Sequence, residues 1–587
     1  MNKLYENLLP KNGYVIGELA CGHEGDFKKL KQLIEAVAVS GADGVKFQIF
    51  IPQERANKDH HEWDIFNKLA ISEEDWKAAA NYARQKKLAV FADIFGEASF
   101  QIAKRIGVDG FKIHSEDLLN TFFISRVAQE NKILMIGVGG AHRIEIYQLL
   151  NYLKTQGLVE NLLLTTGVQT FPTPLEVHFL QEVSDLLSCY SSFGVKLAFA
   201  DHISGDLEEA KIVPLMALAK GAAVIEKHVT INRDDEWEDY QSALSKEVFG
   251  DFVKQLKKLS PLLKELGPQT PFEIQYRKIF KKTPVAAIDL ESGQLIKPEH
   301  IKYVKHAKHA VPLSALNLVG RQCKNNLSKG QVLRLKDIKV KVGGIIVARC
   351  SSNRLPSKAT RKILERETIA LLIERIKRCR NLDCVVLATS TDPSDDVLEE
   401  IAKREGVLPF RGSLENLSLR FYQAAKHYNI DHIVRVTGDD IIRDEVMIDK
   451  IVESHLFNSS EVTFADNMPY GTVSDVFSLN AIETILNTAQ VPENTEYLEW
   501  YLGNSRYFSI NYVKSDYEFN PRWRLTLDYE EDFLFFKEIF ECFYGHKPDF
   551  TLADVLKLLA DQPQIAEINM AKTAKYTKND INVKLTI

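Results

Sequence analysis

The sequence has no Cys-x-x-Cys pair; its 7 cysteines in 587 residues are scattered, with Cys379 and Cys384 the nearest two. An odd, unclustered set argues against a disulfide framework or a zinc knuckle and reads as free thiols in a reducing cytoplasm. No apolar run is long enough to span a bilayer, and the stretch Met1 to Tyr14 lacks the apolar core of a secretory signal. Runs of Lys and Arg are also missing, and the net charge is -6, so a nucleic-acid footprint is not expected. The first strand-like run is not followed by a Gly-x-Gly-x-x-Gly turn, which removes the usual dinucleotide signature. What remains is 45% hydrophobic and 26% charged, the profile of a soluble globular protein. A chain this long exceeds one core, so about two to four domains are expected, in a cytoplasmic enzyme or a large interaction protein.

The first half repeats a beat. Short β-branched runs, "YVIGELA", "GVKFQIF", "LAVFADIF", "DGFKIH", "KILMIGVGG", "NLLLTTGV", "VKLAFADH" and "AAVIEKHVT", alternate with helical stretches such as "FKKLKQLIEAVAVSGAD". Parallel neighbours need a crossover, and a helix supplies it. The spacing predicts an α/β fold, a (β/α)₈ barrel rather than an open sheet. In such a barrel the strand bodies fill the interior and their carboxyl ends line the active face. Polar residues gather at those ends: Glu18 and His23, Lys46 and Gln48, Asp93, Lys112 with Ser115, Asp201 with His202, and Glu226 with His228.

His202 and His228 close the last two runs, so they are neighbours across one seam. Neutral imidazoles there suit a divalent transition ion; the alternative is a hydrogen-bonded pair without metal. Lys46 and Lys112 fit a phosphate or carboxylate, or else lead out of the barrel mouth. Glu18 is a general base, a hydroxyl acceptor or a lysine's partner.

The motifs "GELACGHEGD", "SGADGVKFQIF", "FPTP", "ADHISGD" and "VIEKHVT" resemble the sialic acid synthase family from about Gly13 to Phe249. The resemblance implies condensation of phosphoenolpyruvate with an acylated amino sugar to a 3-deoxy ulosonic acid. By it, His202 and His228 match ligands of Mn²⁺ or another divalent metal. Lys46, Lys112 and Ser115 match the phosphoenolpyruvate set, and Glu18, Gln48 and Asp239 match sugar-side residues. The chain departs from the family at Asp93, where Thr-Pro is usual, at Ala200, where Ser is usual, and at Asp117, where a Glu normally reaches the sugar.

Residues 284–341 contain two similar phrases, "DLESGQLIKPEHI" and "NLSKGQVLRLKDI". They resemble the antifreeze-like domain that follows such barrels, which implies a homodimer; Lys305 and Lys308 stand where the family's "RPGNG" would be. The expected division is 1–267 barrel, 268–283 linker, 284–341 antifreeze-like module and 342–587 nucleotide domain.

Past Lys341, "GGIIVARC" runs into the basic, Ser-rich turn "SSNRLPSK", chemistry that suits a triphosphate. "CVVLATST" and "HIVRVTGDD" read as further strands of an open, Rossmann-like α/β sheet with ligands at their carboxyl ends. "RWRLTLDYEEDF" reads as a strand ending at Asp528, and aspartates at two strand ends can share Mg²⁺; "TGDD" alone reads equally as a turn or helix cap. Together these stretches resemble the cytidylyltransferase family from about Ile345 to Phe540, which implies transfer of CMP from CTP to an acidic sugar. By that resemblance Arg349, Arg354 and Lys358 hold the triphosphate, Asp439 and Asp528 hold Mg²⁺, and Glu496 faces the sugar. Ser357 replaces a usual Gly, and "TGDD" replaces "TGDCP". The expected protein is a bifunctional synthase and nucleotidyltransferase with small-molecule substrates and no membrane or nucleic-acid partner. Its rivals are a sugar- or nucleotide-binding scaffold with one decayed half and a synthase for a shorter sugar.

Overall fold

The computed structural model describes residues 13–263, 267–305, 311–351, 354–489 and 498–571. The chain divides into two compact units, Met1–Leu266 and Gly267–Ile587. In the first, eight strands run in chain order: β1 (Tyr14–Glu18), β2 (Gly44–Ile49), β3 (Ala89–Ile94), β4 (Gly110–Ile113), β5 (Ile133–Gly137), β6 (Leu162–Thr166), β7 (Lys196–Asp201) and β8 (Val224–Thr230). Each pairs in parallel with the next, and β8 pairs with β1 to close the barrel. The expected (β/α)₈ architecture is therefore present.

Alternation along each strand divides side chains between two cores. One layer, including Val15, Val45, Val90 and Ile113, packs outward against the helices. The other, including Ile16, Phe91, Met135, Leu163, Ala198 and Val224, fills the barrel. Phe91 explains the glycines that open β2 and β4. A Cβ on Gly110 would meet Phe91 at 2.7 Å, and one on Gly44 would meet it at 3.0 Å. The helix Phe27–Ser40 shows how the connections are set. Asp26 caps its start by accepting from the Lys28 N–H, and Gly41 ends it at φ 79°.

His23 corrects the sequence reading. It is fully buried, edge-on at 5.6 Å to Trp76 of the strand–helix layer, and its Nδ1 accepts from the Gly25 N–H at 3.0 Å. The chain turns after Glu18, so a residue five positions on does not follow the strand direction.

In the second unit, the stretch expected as a linker carries a helix, Pro271–Phe280, capped reciprocally by Thr270 and Glu273. The signal was legible: Thr-Pro followed by Glu is a capping box with proline at the first helical position. Next comes a small module with strands β9 (Thr283–Ala286) and β10 (Ile301–Val304). Its two similar phrases fold alike. Gly293 and Gly330 both take positive φ, 85° and 83°, and each phrase ends in a 3₁₀ turn, Pro298–His300 and Leu335–Asp337.

The remaining sheet comprises β11 (Val342–Val347), β12 (Cys384–Ser390), β13 (Leu408–Gly412), β14 (His432–Thr437), β15 (Val462–Asp466), β16 (Asp475–Ser478) and β17 (Ile510–Lys514), in the order β13-β12-β11-β14-β16-β15-β17. β16 runs antiparallel to both neighbours, so the sheet is mixed. The expected strand before Asp528 is not one. Arg524–Leu527 is extended, with only an isolated bridge from Arg524 to Tyr470. Among the described residues no helix is long and apolar enough to cross a membrane.

The Phe91 contact yields a test. Gly110→Ala should destabilise the barrel by about 1–3 kcal/mol in urea unfolding, because the methyl overpacks a rigid ring. Adding Phe91→Leu should recover part of that loss.

Candidate active sites

The carboxyl ends of the barrel strands carry a buried charge cluster. Lys46 Nζ contacts Glu18, Asp93 Oδ2 at 2.8 Å and Glu226 Oε1 at 2.8 Å. Lys112 Nζ reaches the same Glu226 oxygen at 2.7 Å. Register brings them together: Glu18 lies beside Lys46 in neighbouring strands, as Asp93 lies beside Lys112. Burial alone would push the Lys46 ammonium down, but Asp93, Glu18 and Glu226 outweigh it and hold its pKa well up. Burial likewise opposes ionisation of Glu226, yet Lys112 and Lys46 hold that carboxyl low. Glu18 is pushed up to about 8, chiefly by burial, with Glu226 and Asp93 adding to it against Lys46. Near neutral pH, Glu18 is therefore protonated, while Lys46 keeps its proton and Glu226 is ionised.

Along β8, Glu226 and His228 point inward and Lys227 outward. Lys227 meets Asp201 of β7 at 2.5 Å, with neither side chain exposed to solvent. Those two residues are also register partners. The outward pair thus fixes the seam at which His202, one residue after Asp201, meets His228. Their ring centroids are 5.2 Å apart. His202 Nδ1 lies 3.1 Å from the Val168 carbonyl. A carbonyl only accepts, so Nδ1 carries the proton and Nε2 keeps its lone pair, the tautomer a metal ligand needs. Burial pushes His202 down to about 4 and His228 well below its usual range, which keeps both neutral. This donor pair fits a divalent transition ion.

The other sequence-selected residues sit around this rim. Gln48 Oε1 accepts from Cys21 Sγ at 3.7 Å, and Asp239 accepts from the Cys21 N–H at 3.0 Å. Asp239 lies at φ 66°, and burial raises its pKa. Ser115 and Asp117 form one 3₁₀ turn directly after β4. Gly137 permits that turn, because a Cβ there would lie 2.6 Å from the Ser115 nitrogen. Asp117 is also raised by burial. Asp93 and Glu226 enter the cluster although neither was placed in the ligand set. Glu226 was legible, being two residues from His228 and so on the same strand face. The partner of Asp93 was not, because only register puts its carboxylate against Lys46.

In the second unit, the loop after β11 presents Arg349, Arg354 and Lys358. Lys358 Nζ sits between two aspartates, 2.8 Å from Asp439 Oδ2 and 3.1 Å from Asp528 Oδ1. Arg354 reaches Asp528 at 3.0 Å, and Arg349 is exposed at the strand end. The loop is anchored by Asp395, which accepts from the Cys350 N–H at 2.6 Å and from Ser390 Oγ at 2.5 Å. Ser357 takes φ 53°, the left-handed conformation that favours glycine. Asp528 owes its position to a backbone bond, Leu527 N–H to the Asp439 carbonyl at 2.8 Å, and to Arg524 at 2.9 Å, rather than to a strand. Burial opposes ionisation of Asp439, but Lys358 wins and holds its pKa below the usual value. Asp440 turns to Thr437 at 2.6 Å and Arg443 at 2.5 Å, and burial pushes it up to about 6. Two carboxylate oxygens thus converge on one cationic point, a hard-oxygen donor set that suits Mg²⁺. Glu496 and Lys308 lie outside the described residues, while Lys305 rests over the Phe280 ring at 5.9 Å.

A barrel with lysines, carboxylates and paired imidazoles at one rim, together with a sheet whose cationic loop faces two aspartates, defines a chain of two enzyme domains. The NeuB family model matches residues 33–267, and the cytidylyltransferase model matches residues 344–548. The chain thus carries a NeuB family domain and a cytidylyltransferase domain over those two segments. It is 33% identical to the uncharacterized protein MJ1063 of Methanocaldococcus jannaschii over 232 residues, 39% of this chain and 95% of that one. It is 24% identical to the pseudaminic acid synthase of Campylobacter jejuni over 341 residues, 56% of this chain and 97% of that one. A solved cytidylyltransferase from Leptospira borgpetersenii shares 30% identity, with a TM-score of 0.38, over 40% of this chain and all (100%) of that one. The two domain families together make this a bifunctional chain of sugar biosynthesis.

The cluster predicts a pH signature. A Glu18 carboxyl raised from 4.5 to about 8 stabilises the fold below pH 4.5, and that contribution is lost as pH rises toward 8. His202, lowered from 6.5 to about 4, acts oppositely: its contribution is present above pH 6.5 and lost as pH falls through 4. Thermal melts of Glu18→Gln should lose the decline between pH 5 and about 8 and keep the acid limb.

Proposed function

We propose that the first domain condenses phosphoenolpyruvate with an amino or deoxy sugar to a 3-deoxy ulosonic acid, and that the second activates that acid with CTP. The observation that carries this reading is the meeting of Lys112, the Lys46 cluster and the His202–His228 pair at one barrel rim. Lys112 and Ser115 bind the donor's phosphate and carboxylate, with Lys46 behind them. Glu18, protonated near neutral pH, donates to a sugar oxygen or shuttles its proton, while Gln48, Asp117 and Asp239 orient hydroxyls. A divalent ion, Mn²⁺ in this reading, would be held by His202 and His228 and would polarise the sugar carbonyl. In the second domain Arg349, Arg354 and Lys358 cradle the triphosphate, and Asp439 and Asp528 would hold Mg²⁺ against it. Glu496 belongs to the sugar side of this proposal. We assign 1–267 to the synthase, 284–341 to an antifreeze-like module that supports a homodimer, and 342–587 to the nucleotidyltransferase. Tethering raises the effective concentration of the shared intermediate.

The named relatives support the sugar class: one is a pseudaminic acid synthase and another an N,N'-diacetyllegionaminic acid synthase. The engagement of Lys46 by carboxylates favours a second reading, a barrel that binds sugar without condensing it.

The purified chain with manganese, phosphoenolpyruvate and a panel of acetamido and deoxy sugars should release phosphate. With CTP and magnesium added it should then release pyrophosphate, with product masses giving the carbon count. A panel yielding neither ion overturns the proposal. His202→Ala should lower phosphate release by at least about 100-fold and leave pyrophosphate release from a supplied acidic sugar intact. Asp439→Ala should do the reverse. Retained metal in the wild type but not in His202→Ala, read by elemental analysis, separates an active barrel from a decayed one.

A further inference from the structure

Asp93 and Glu226 are the two acids of the barrel cluster to which the proposed reaction gives no role. Asp93 sits at the carboxyl end of β3 with 1% exposure, and its Oδ2 holds Lys46 Nζ at 2.8 Å. Its other oxygen, Oδ1, is buried and has no hydrogen-bond partner. Glu226 is tied differently, since one of its oxygens bridges Lys46 and Lys112 at 2.8 and 2.7 Å. Any anion that is to use Lys46 must displace a carboxylate from it. Asp93, held through one oxygen to one lysine, is less tied than Glu226 and gives up the ammonium more readily. It still opposes the newcomer, because a carboxylate and an incoming phosphate compete for one ammonium where little solvent screens them.

We propose that Asp93 is a specificity-setting internal competitor at the donor site: its carboxylate occupies the ammonium of Lys46, so a phosphate-bearing donor binds chiefly through Lys112 and binds weakly. The same competition favours departure of inorganic phosphate after turnover. The inference rests on the reading of this rim as a phosphoenolpyruvate site. Asp93 acts through Lys46 and is a positioning residue.

The test is a gain rather than a loss. Asp93→Asn keeps the side chain's shape and removes its charge, and Asp93→Ser removes both. Binding of phosphoenolpyruvate to the full-length wild type and to both variants is measured by calorimetry in the presence of manganese. Steady-state KM values for donor and sugar accompany it. Both variants should bind the donor about tenfold or more tightly. Their donor KM should fall while the sugar KM stays unchanged, and inorganic phosphate should inhibit them more strongly. A destabilised fold would not give that split. Equal donor binding by wild type and both variants overturns the proposal and leaves the donor reading standing. Binding by the variants alone supports the proposal and overturns phosphoenolpyruvate as the wild-type donor. Binding by none of the three overturns both.

Discussion

A lysine ammonium sealed inside a barrel must be paid for in carboxylates, and Lys46 sets the terms for everything near it. Its side chain is 1% exposed, and three acids from β1, β3 and β8 point at it. Unpaired, such a charge would lose its proton or open the structure. Because the acids come from strands far apart in sequence, their pairing with one atom also fixes strand register, and register fixes where His228, Lys112 and Gln48 stand. The outward Lys227–Asp201 pair does the same for the β7–β8 seam. The rim is therefore built from charge pairs on both faces of the sheet, with the apolar layers below supplying bulk.

The nucleotide half solves the converse problem. Two acids there, Asp439 and Asp528, converge on one point and are held apart from mutual repulsion by the ammonium of Lys358. Neither aspartate depends on a regular strand pair for its neighbour. A single backbone bond from Leu527 to the Asp439 carbonyl joins the two segments. In both halves, then, a lysine stabilises a concentration of carboxylates whose chemistry needs cations. In both, a ligand has to be more favourable than an internal ion pair before it binds.

Much of this was legible in the chain. The eight apolar runs marked every barrel strand, because a parallel strand buried on both faces has to be apolar along its body and is polar only where it leaves the sheet. The capping box at Thr270 and the paired glycines of the two small-module phrases carried equally local signals. His23 misled because a turn after Glu18 redirected the chain, and the segment before Asp528 misled because extended, alternating sequence does not by itself find a pairing partner.

The sequence by itself determined the period of the barrel, the polar residues at its rim and the basic loop of the nucleotide half, since these depend on spacing along one strand or turn. Only the tertiary structure decided that Asp93 and Glu226 share Lys46, that Lys227 turns outward to Asp201, and that Asp528 meets Lys358. Those contacts depend on the relative register of strands and loops separated by tens to hundreds of residues, and charge pairing inside a dry interior is a property of where atoms meet, not of their order in the chain.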